Sequence, residues 1–137
     1  MDRKSALELL RGASDSIARW NQTRSHDPGP VRLSYCNFAD LDLSNADLGG
    51  MDLHASNFRR TRLVGENLAG ANLRRCNFES ADLARAVLCR ADLRAANLRS
   101  TNLVAADLRD ADLRRASFRQ ASADCTTQWP AGALTRI

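Results

Sequence analysis

The sequence lacks several features on which common protein functions depend. No apolar run approaches the length of a membrane-spanning helix, so we expect no transmembrane segment and no membrane partner. The amino terminus has neither the charged nor the apolar region of a signal peptide, which predicts a cytoplasmic protein. Phosphate-binding glycine loops, dinucleotide-binding fingerprints and nucleophile elbows are also missing, which disfavours the enzymes that depend on them.

Histidine and cysteine are scarce and poorly placed for catalysis or metal binding. Neither His26, in the predicted connector, nor His54, at an outward free position, lies beside a serine or cysteine in a way that suggests an activated nucleophile. The cysteines show no C-x-x-C spacing, so we expect free thiols and no zinc site. They are Cys36, Cys76, Cys89 and Cys125. The sequence therefore predicts no catalytic residue, no metal site and no cofactor, and we expect the protein not to be an enzyme.

What the sequence has instead is leucine or phenylalanine at every fifth position of a long central stretch. A period of five fits neither an α-helix nor an ordinary β-strand, so it indicates a repeat architecture. Each unit reads small residue, Asp or Asn, Leu or Phe, and two free positions. The repetition of the Asp or Asn predicts a structural role, in which the side chain bonds to nearby backbone. The central residues are Leu33, Phe38, Leu43, Leu48, Leu53, Phe58, Leu63, Leu68, Leu73, Phe78, Leu83, Leu88, Leu93, Leu98, Leu103, Leu108, Leu113 and Phe118.

This unit resembles the repeat of the pentapeptide-repeat family, most clearly in ADLRAANLRSTNLVAADLRDADLRR, Ala91 to Arg115. The resemblance covers about two thirds of the chain. It implies an all-β solenoid, namely a right-handed quadrilateral β-helix in which four units complete one turn. For residues 31–120 this corresponds to about 4.5 coils.

Residues twenty apart test the square coil independently, because they should then stack on one face. Phe38, Phe58, Phe78 and Phe118 do fall on one face, and only Leu98 interrupts their column. We therefore predict a stack of aromatic rings in the interior and a ladder of asparagine amides outside it. The asparagines that precede the column are Asn37, Asn57, Asn77 and Asn97.

Both ends of such a coil expose unpaired backbone and apolar interior, so each needs a cap. For residues 1–30 we predict one capping helix from Ser5 to about Asn21, which a capping box of Ser5 and Glu8 begins. A polar connector, Gln22 to Pro30, follows it. The residues on the apolar side of the helix are Ala6, Leu9, Leu10, Ala13, Ile17 and Trp20. For residues 121–137 we predict a carboxyl-terminal cap in which Trp129 closes the interior.

Glu66 breaks the repeat, because it takes an inward position where neighbouring units have small residues. A buried carboxylate without a partner is costly, so we expect the side chain to be paired, protonated or turned outward. Arg62 is near enough in sequence to be its partner. A structural irregularity and a binding site are both open interpretations of Glu66.

Charge carries the main indication of function. The net charge is +4, and nineteen of the twenty basic residues are arginine, with Lys4 as the exception. Two adjacent faces hold most of the arginines of the coil and form a candidate interaction face. Its residues are Arg59, Arg60, Arg74, Arg75, Arg94, Arg99, Arg114, Arg115 and Arg119. The alternative is a solvated face that keeps the coil soluble, where Asp52, Asp92 and Asp112 neutralise part of the charge.

The other two faces have mostly small or apolar free residues and are a candidate surface for a homodimer or another partner. We therefore predict a non-enzymatic protein-interaction or scaffold module, whose partner is an unidentified protein of acidic character or a second copy.

The family resemblance implies a rival, a DNA mimic that binds DNA gyrase or another type II topoisomerase and protects it from quinolones, which the basic charge disfavours. Direct nucleic-acid binding through the arginines is the third reading. The absence of aromatic residues among the arginines disfavours it.

Overall fold

The computed structural model describes residues 1–12, 14–26, 29 and 31–133. Two α-helices come first, α1 (Arg3–Leu10) and α2 (Ser14–His26). From residue 31 onward the chain alternates single-residue β-bridges with turns, and the described ranges contain no longer strand.

The bridges pair each unit in parallel with the unit twenty residues later, from Arg32 with Asp52 to Asn102 with Ser122. In the last pair Asp107 meets Gln128, so one additional residue is accommodated there. The bridge residues fall into four columns, which define faces 1 to 4 in chain order. Face 1 contains Arg32, Asp52, Asn72, Asp92 and Asp112; face 2 contains Asn37, Asn57, Asn77, Asn97 and Ser117; face 3 contains Asp42, Arg62, Asp82, Asn102 and Ser122; face 4 contains Asp47, Asn67, Val87, Asp107 and Gln128.

Backbone hydrogen bonds between successive coils connect these columns. On face 1, Leu73 N donates to Asp92 O at 2.9 Å and Arg75 N donates to Arg94 O at 3.0 Å. In return, Asp92 N donates to Ala71 O at 3.0 Å. A coil therefore gives two N–H groups and one C=O group per unit to the coil that follows. This imbalance makes the two ends of the stack chemically different.

A tight turn separates each unit from the next. The small residue that opens a unit donates to the Leu or Phe carbonyl three residues earlier, as in Ala91 N to Leu88 O at 3.1 Å. The residue before it adopts the left-handed conformation, as Arg90 does with a φ of 58°. The Asp or Asn side chain accepts from the N–H two residues later, as Asn102 Oδ1 does from Val104 N at 3.1 Å. This contact confirms that the repeated carboxylates and amides stabilise the turns.

The core is the column of central side chains together with the small residues between them. Every central residue from Leu33 to Leu108 is buried, whereas Leu113 and Phe118 in the last coil are only half-buried. Phe38, Phe58 and Phe78 stack with ring centroids 5.0 Å apart, which confirms the predicted aromatic stack for three of its four members. Phe118 is separated from them by a leucine and instead meets Trp129 edge-on.

The asparagine ladder on face 2 is present in two of its three predicted steps. Asn57 Nδ2 donates to Asn37 Oδ1 at 3.1 Å, and Asn97 Nδ2 donates to Asn77 Oδ1 at 3.0 Å. No bond joins Asn57 to Asn77 in the described part of the chain, so the prediction of a continuous ladder is wrong at this step. Each of these oxygens already accepts from a backbone N–H of its own turn.

The amino-terminal helical segment differs from the prediction in three respects. It is two helices rather than one, and the chain leaves the helical path at Gly12, where a Cβ would lie 2.3 Å from Ser16 Oγ. The predicted capping box is wrong, because Asp2 is the N-cap and its Oδ1 accepts from Ser5 N at 2.8 Å. The second helix also continues to His26, into the predicted connector. The predicted helical residue Ala13 lies outside the described residues.

The two helices lie against the first coil and supply hydrogen-bond donors to its exposed carbonyls. Trp20 is fully buried, and its Nε1 donates to Asp47 O at 2.9 Å. Asn21 both donates and accepts, since its Nδ2 donates to Asn45 O and its Oδ1 accepts from Asp47 N, each at 2.8 Å. Three arginine side chains donate to further carbonyls: Arg3 to Ser34 O, Arg11 to Asn37 O and Arg24 to Gly49 O. These donors take the place of a preceding coil.

The left-handed residues at the turns between units predict opposite effects of two reciprocal substitutions on the free energy of unfolding. Gly70 has a φ of +65° and open space around its Cα, so Gly70→Ala adds only backbone strain. We expect it to lower the free energy of unfolding by about 1 kcal/mol. Ala95 has a φ of 57°, and Ala95→Gly is expected to raise that free energy by up to about 1 kcal/mol. Urea unfolding measures both, and changes of the same sign would contradict a strained corner.

Trp129 predicts a second stability effect at the other end of the coil. Its ring is half-buried and lies 5.6 Å from the Phe118 ring at an interplanar angle of 74°. Trp129→Ala is expected to cost about 1 to 2 kcal/mol, less than a fully buried tryptophan, and to promote aggregation. Thermal unfolding and light scattering measure these changes. Gln128→Ala is the control, because that exposed side chain can be removed while the Leu108 N to Gln128 O bond stays; an equal effect of both changes would refute the cap.

Candidate interaction surface

All nine arginines of the predicted interaction face occupy outward positions on faces 1 and 2. Arg74 and Arg94 are half-buried and the other seven are exposed. Their surroundings divide them into two groups, one held by carboxylates and one without a carboxylate partner.

Arginines that stand two residues after an aspartate are held by that aspartate. Arg94 binds Asp92 through two bonds of 2.8 and 2.6 Å and lies 3.6 Å from Asp112. Arg114 binds Asp112 at 2.6 Å. The Arg114 hydrogen bond lowers the pKa of Asp112 to about 2, and the Arg94 bond likewise lowers the pKa of Asp92. Two of the three predicted neutralising aspartates are therefore engaged, whereas Asp52 accepts from Asn72 instead.

Two further arginines of the set pair with acidic residues of neighbouring coils. Arg60 makes a bidentate contact with Asp40, at 2.6 and 3.0 Å, and this bond lowers the pKa of Asp40. Arg59 lies 4.0 Å from Glu79. Both pairs are exposed, and such pairs contribute little to stability, so their main effect is to reduce the positive charge of this part of the surface.

The remaining five arginines form no ion pair within the described ranges, and we call them the basic surface. Three of them follow an asparagine or serine by two residues, where their paired counterparts follow an aspartate. The residue two positions earlier accounts for part of this division: Asp-Leu-Arg gives a paired arginine, while Asn-Leu-Arg and Ser-Phe-Arg give a free one. Arg59 of Asn-Phe-Arg is paired instead through Glu79 of the next coil. The basic surface consists of Arg74, Arg75, Arg99, Arg115 and Arg119.

Faces 3 and 4 have exposed arginines among their small and apolar free residues. Arg62, Arg85, Arg90 and Arg109 are exposed there, and within the described ranges only Arg109 of these four forms an ion pair, with Asp107 at 2.7 Å. The small residues lie at the outward positions that the sequence indicated. The use of this side as a surface for a homodimer or another partner stays a prediction.

Glu66 points inward and is fully buried. Its Oε1 accepts from Leu48 N at 3.2 Å, while Oε2 has no hydrogen-bond partner. Burial raises the pKa of Glu66 to about 9, and the nearby Asp47 charge acts in the same direction. The side chain is therefore a neutral acid at pH 7. Pairing with Arg62 is not observed, since Arg62 is exposed on face 3.

Cysteine and histidine are the remaining residues with reactive side chains, and His26 Nδ1 lies 3.2 Å from Ser25 Oγ and 2.8 Å from Gln22 O. All four cysteines are free, as predicted, and burial raises the pKa of Cys76 to about 12. His54 packs edge-on against the exposed ring of Tyr35, with centroids 5.4 Å apart. Sequence reasoning missed this pair, although its spacing of nineteen marks neighbours in successive coils. In the described part of the chain, no group of three or more His, Cys, Asp or Glu residues has a metal-binding arrangement.

The sequence signature of pentapeptide repeats matches residues 32–65, 67–103 and 91–126, with 8 copies of the repeat. The chain belongs to the pentapeptide-repeat family. The matched residues include nearly all of the bridges, so the sequence signature and the hydrogen-bonded coil describe the same segment.

Solved structures of other pentapeptide-repeat proteins are similar to this chain. HetL of the cyanobacterium Nostoc sp. strain PCC 7120, involved in regulating heterocyst differentiation, is 34% identical with a TM-score of 0.49; the match covers 70% of this chain and 41% of HetL. A protein of the Arabidopsis thaliana thylakoid lumen is 30% identical with a TM-score of 0.49; the match covers 68% of this chain and 63% of that protein. Rfr23 of the cyanobacterium Cyanothece 51142 is 24% identical with a TM-score of 0.43; the match covers 80% of this chain and 97% of Rfr23.

This pentapeptide-repeat chain thus spans less than two thirds of the first two proteins. No curated protein sequence matches it. Neither of the helices described has the length and apolar composition that crossing a membrane requires.

The buried acid of this pentapeptide-repeat chain predicts a pH-dependent stability. The native state keeps the Glu66 proton up to about pH 9, whereas the unfolded state loses it near pH 4, so unfolding releases a proton between these values. Stability should therefore fall as pH rises through this window, by about 1.4 kcal/mol per pH unit. Glu66→Gln is expected to remove this dependence and to be more stable than the unsubstituted protein at pH 8.

Urea unfolding at pH 4.5, 6 and 8 measures the effect. Glu79→Gln is the matched control, because it removes a carboxylate that is partly exposed on face 2. A difference between Glu66→Gln and the unsubstituted protein that does not grow with pH would show that Glu66 is charged in the native state.

Proposed function

We infer that this chain is a non-enzymatic interaction or scaffold module that binds an acidic protein surface through its basic surface. The observation that carries this proposal is the separation of the arginines into paired and free groups. Asp92, Asp107 and Asp112 already hold one group, whereas Arg74, Arg75 and Arg99 have no acidic partner in the described chain. Guanidinium groups bind carboxylates in bidentate geometry, so the free arginines are suited to carboxylates of another protein.

We further propose a specific shape for the coil. The four bridge columns and the spacing of twenty support a quadrilateral β-helix of about 4.5 coils, and the family to which the chain belongs supports a right-handed one. Such a coil presents side chains on rigid, evenly spaced positions. We propose that it acts in the cytoplasm as a preformed surface, because the hydrogen bonds between coils fix the backbone before a partner arrives.

The rival functions have less support from the surface. A DNA mimic that binds gyrase or another topoisomerase needs an acidic exterior, and this chain has a net charge of +4 with free arginines on every face. Nucleic acid would find phosphate-binding arginines but few aromatic side chains for stacking, since the exposed Tyr35 ring packs against His54. A homodimer through faces 3 and 4 would bring Arg85 and Arg90 of two copies together, which like-charge repulsion disfavours.

Two triple variants of equal charge change test the proposal. The free set combines Arg74→Ser, Arg75→Ser and Arg99→Ser, and the paired set combines Arg60→Ser, Arg109→Ser and Arg114→Ser. Protein partners captured from nuclease-treated host lysate are first identified, and their affinity for each variant is then measured at two salt concentrations. The free set is expected to weaken binding about tenfold or more, and the paired set to weaken it less.

Equal loss in the two sets would contradict a role for the basic surface and would indicate general charge attraction. Retention of the partner by both sets would place its binding elsewhere on the coil. Capture that occurs from untreated lysate and is lost after nuclease treatment would support the nucleic-acid alternative instead.

A further inference from the structure

The two ends of the coil present opposite hydrogen-bonding groups. Each unit gives two N–H groups and one C=O group to the coil that follows, as the bonds of Leu73, Arg75 and Ala71 show. A first coil is therefore left with excess acceptors, and a last coil is left with excess donors. The two ends need different partners.

The acceptor-rich amino-terminal end is already covered. Five side chains of the helical segment donate to carbonyls of the first coil, and they include Trp20, Asn21 and Arg24. The helices lie across this end, so it cannot receive another chain. The side-chain donors of the helical segment thus satisfy excess backbone carbonyls of the first coil.

Within the described ranges, no backbone stacks on faces 1 and 2 of the donor-rich carboxyl-terminal end. Leu113 N, Arg115 N, Phe118 N and Gln120 N have no acceptor in these ranges, whereas the equivalent groups one coil earlier are all bonded to the next coil. Leu113, Arg115 and Phe118 line a depression of about 1100 Å³, which Pro130 to Ala133 also line, and the Leu113 and Phe118 side chains are half-buried. Faces 3 and 4 differ, because Ser122 and Gln128 continue their columns.

The charge at the depression matches the excess of donors. Arg115 and Arg119 line it and have no ion-pair partner in the described chain. Of the acidic residues there, Asp112 is engaged by Arg114 and Arg94, and the exposed Asp110, which lies beside Arg109 in sequence, forms no ion pair in the described part of the chain. Backbone donors, two free guanidinium groups and an apolar floor thus meet at one end of the coil.

A second copy of the chain is poorly suited to this end. Two carboxyl-terminal ends placed together would oppose N–H rows to N–H rows and arginine to arginine. A head-to-tail arrangement needs the amino-terminal end of another copy, which the helical cap occupies. An extended segment that supplies carbonyls and carboxylates meets neither obstacle.

We propose that the carboxyl-terminal end of the coil binds an extended, acidic segment of a partner protein as one further half-coil on faces 1 and 2. The segment accepts hydrogen bonds from Leu113 N, Arg115 N, Phe118 N and Gln120 N, places apolar side chains over Leu113 and Phe118, and directs carboxylates to Arg115 and Arg119. This mode is strand addition at an open edge, with a stacked coil in place of a sheet. Because each face is five residues long, two repeat units fill the site. The site is separate from the centre of the basic surface and shares only Arg115 and Arg119 with it.

Amide hydrogen exchange of the full chain, followed by NMR, tests the proposal on the four N–H groups themselves. The probe is the synthetic peptide Ala-Asp-Leu-Glu-Gly-Ala-Asn-Phe-Glu-Gly, and a peptide with lysine in place of each glutamate is its control. In the free protein the four amides are expected to exchange rapidly, because they have no intramolecular acceptor. The acidic peptide is expected to slow them severalfold and the lysine peptide to leave them unchanged.

Matched double variants separate this site from the basic surface. Arg115→Glu with Arg119→Glu is expected to weaken peptide binding at least about tenfold. Arg75→Glu with Arg99→Glu changes the same two side-chain columns in earlier coils and is expected to have little effect on the peptide. All four positions are exposed, so both variants should fold.

Several results would overturn the proposal. Failure of the acidic peptide to bind, or binding that leaves the four amides unchanged, would exclude strand addition at this end. Slow exchange of these amides in the free protein would show that another part of the chain covers them, and slow exchange that depends on protein concentration would show that a second copy does. Equal effects of the two double variants would assign the peptide to the side of the coil, which concerns the proposed basic surface and not this site.

Discussion

Backbone hydrogen bonding along the axis of the coil is the constraint on which the rest of this structure depends. Each described repeat unit contributes a single-residue β-bridge and forms no longer strand. A unit is therefore held by the units twenty residues before and after it, through bonds such as Phe78 N to Asn97 O at 2.7 Å. Side-chain identity matters only where it permits this stacking, which explains why a small residue, an Asp or Asn, and a Leu or Phe are repeated while the other two positions vary.

The corners and the surface follow from the same geometry. A turn every five residues forces one residue per unit into the left-handed conformation, and arginine, alanine and serine accept it here as well as glycine. The Asp or Asn next to the turn offsets part of this strain by accepting a local N–H. When that residue is aspartate, its second oxygen also holds an arginine two residues later, as in Asp107 with Arg109. Local turn chemistry thus engages Arg94, Arg109 and Arg114 and makes them less available to a partner.

Much of this could be predicted from the sequence, because a period of five residues fits neither an α-helix nor an ordinary β-strand and therefore indicates a repeat architecture. The buried centres, the phenylalanine stack and the turn-forming aspartates all follow from residue spacing alone. The helical segment could not be predicted in detail. Asp2 and Ser5, three residues apart, can each cap a helix, so residue type alone does not decide between them, and the structure has Asp2 Oδ1 accepting from Ser5 N. The apolar spacing also runs on from Leu9 and Leu10 to Ile17 and Trp20, which concealed the end of the first helix at Leu10. The charge state of Glu66 also required its surroundings, since sequence placed it inward but could not show that Oε2 lacks a partner.

The register of twenty residues has a consequence for how such a chain can change its length. Removing or duplicating a whole turn would leave every column in place, so the interior stack and the exterior charge pattern would simply become shorter or longer. Removing a single unit would instead move every residue beyond it to the neighbouring column of bridges. Phe118 would then leave the column of Phe38, Phe58 and Phe78, and arginines from one side would move to the next. For this fold the twenty-residue turn, rather than the five-residue motif, is the smallest module that can be exchanged without altering the surface.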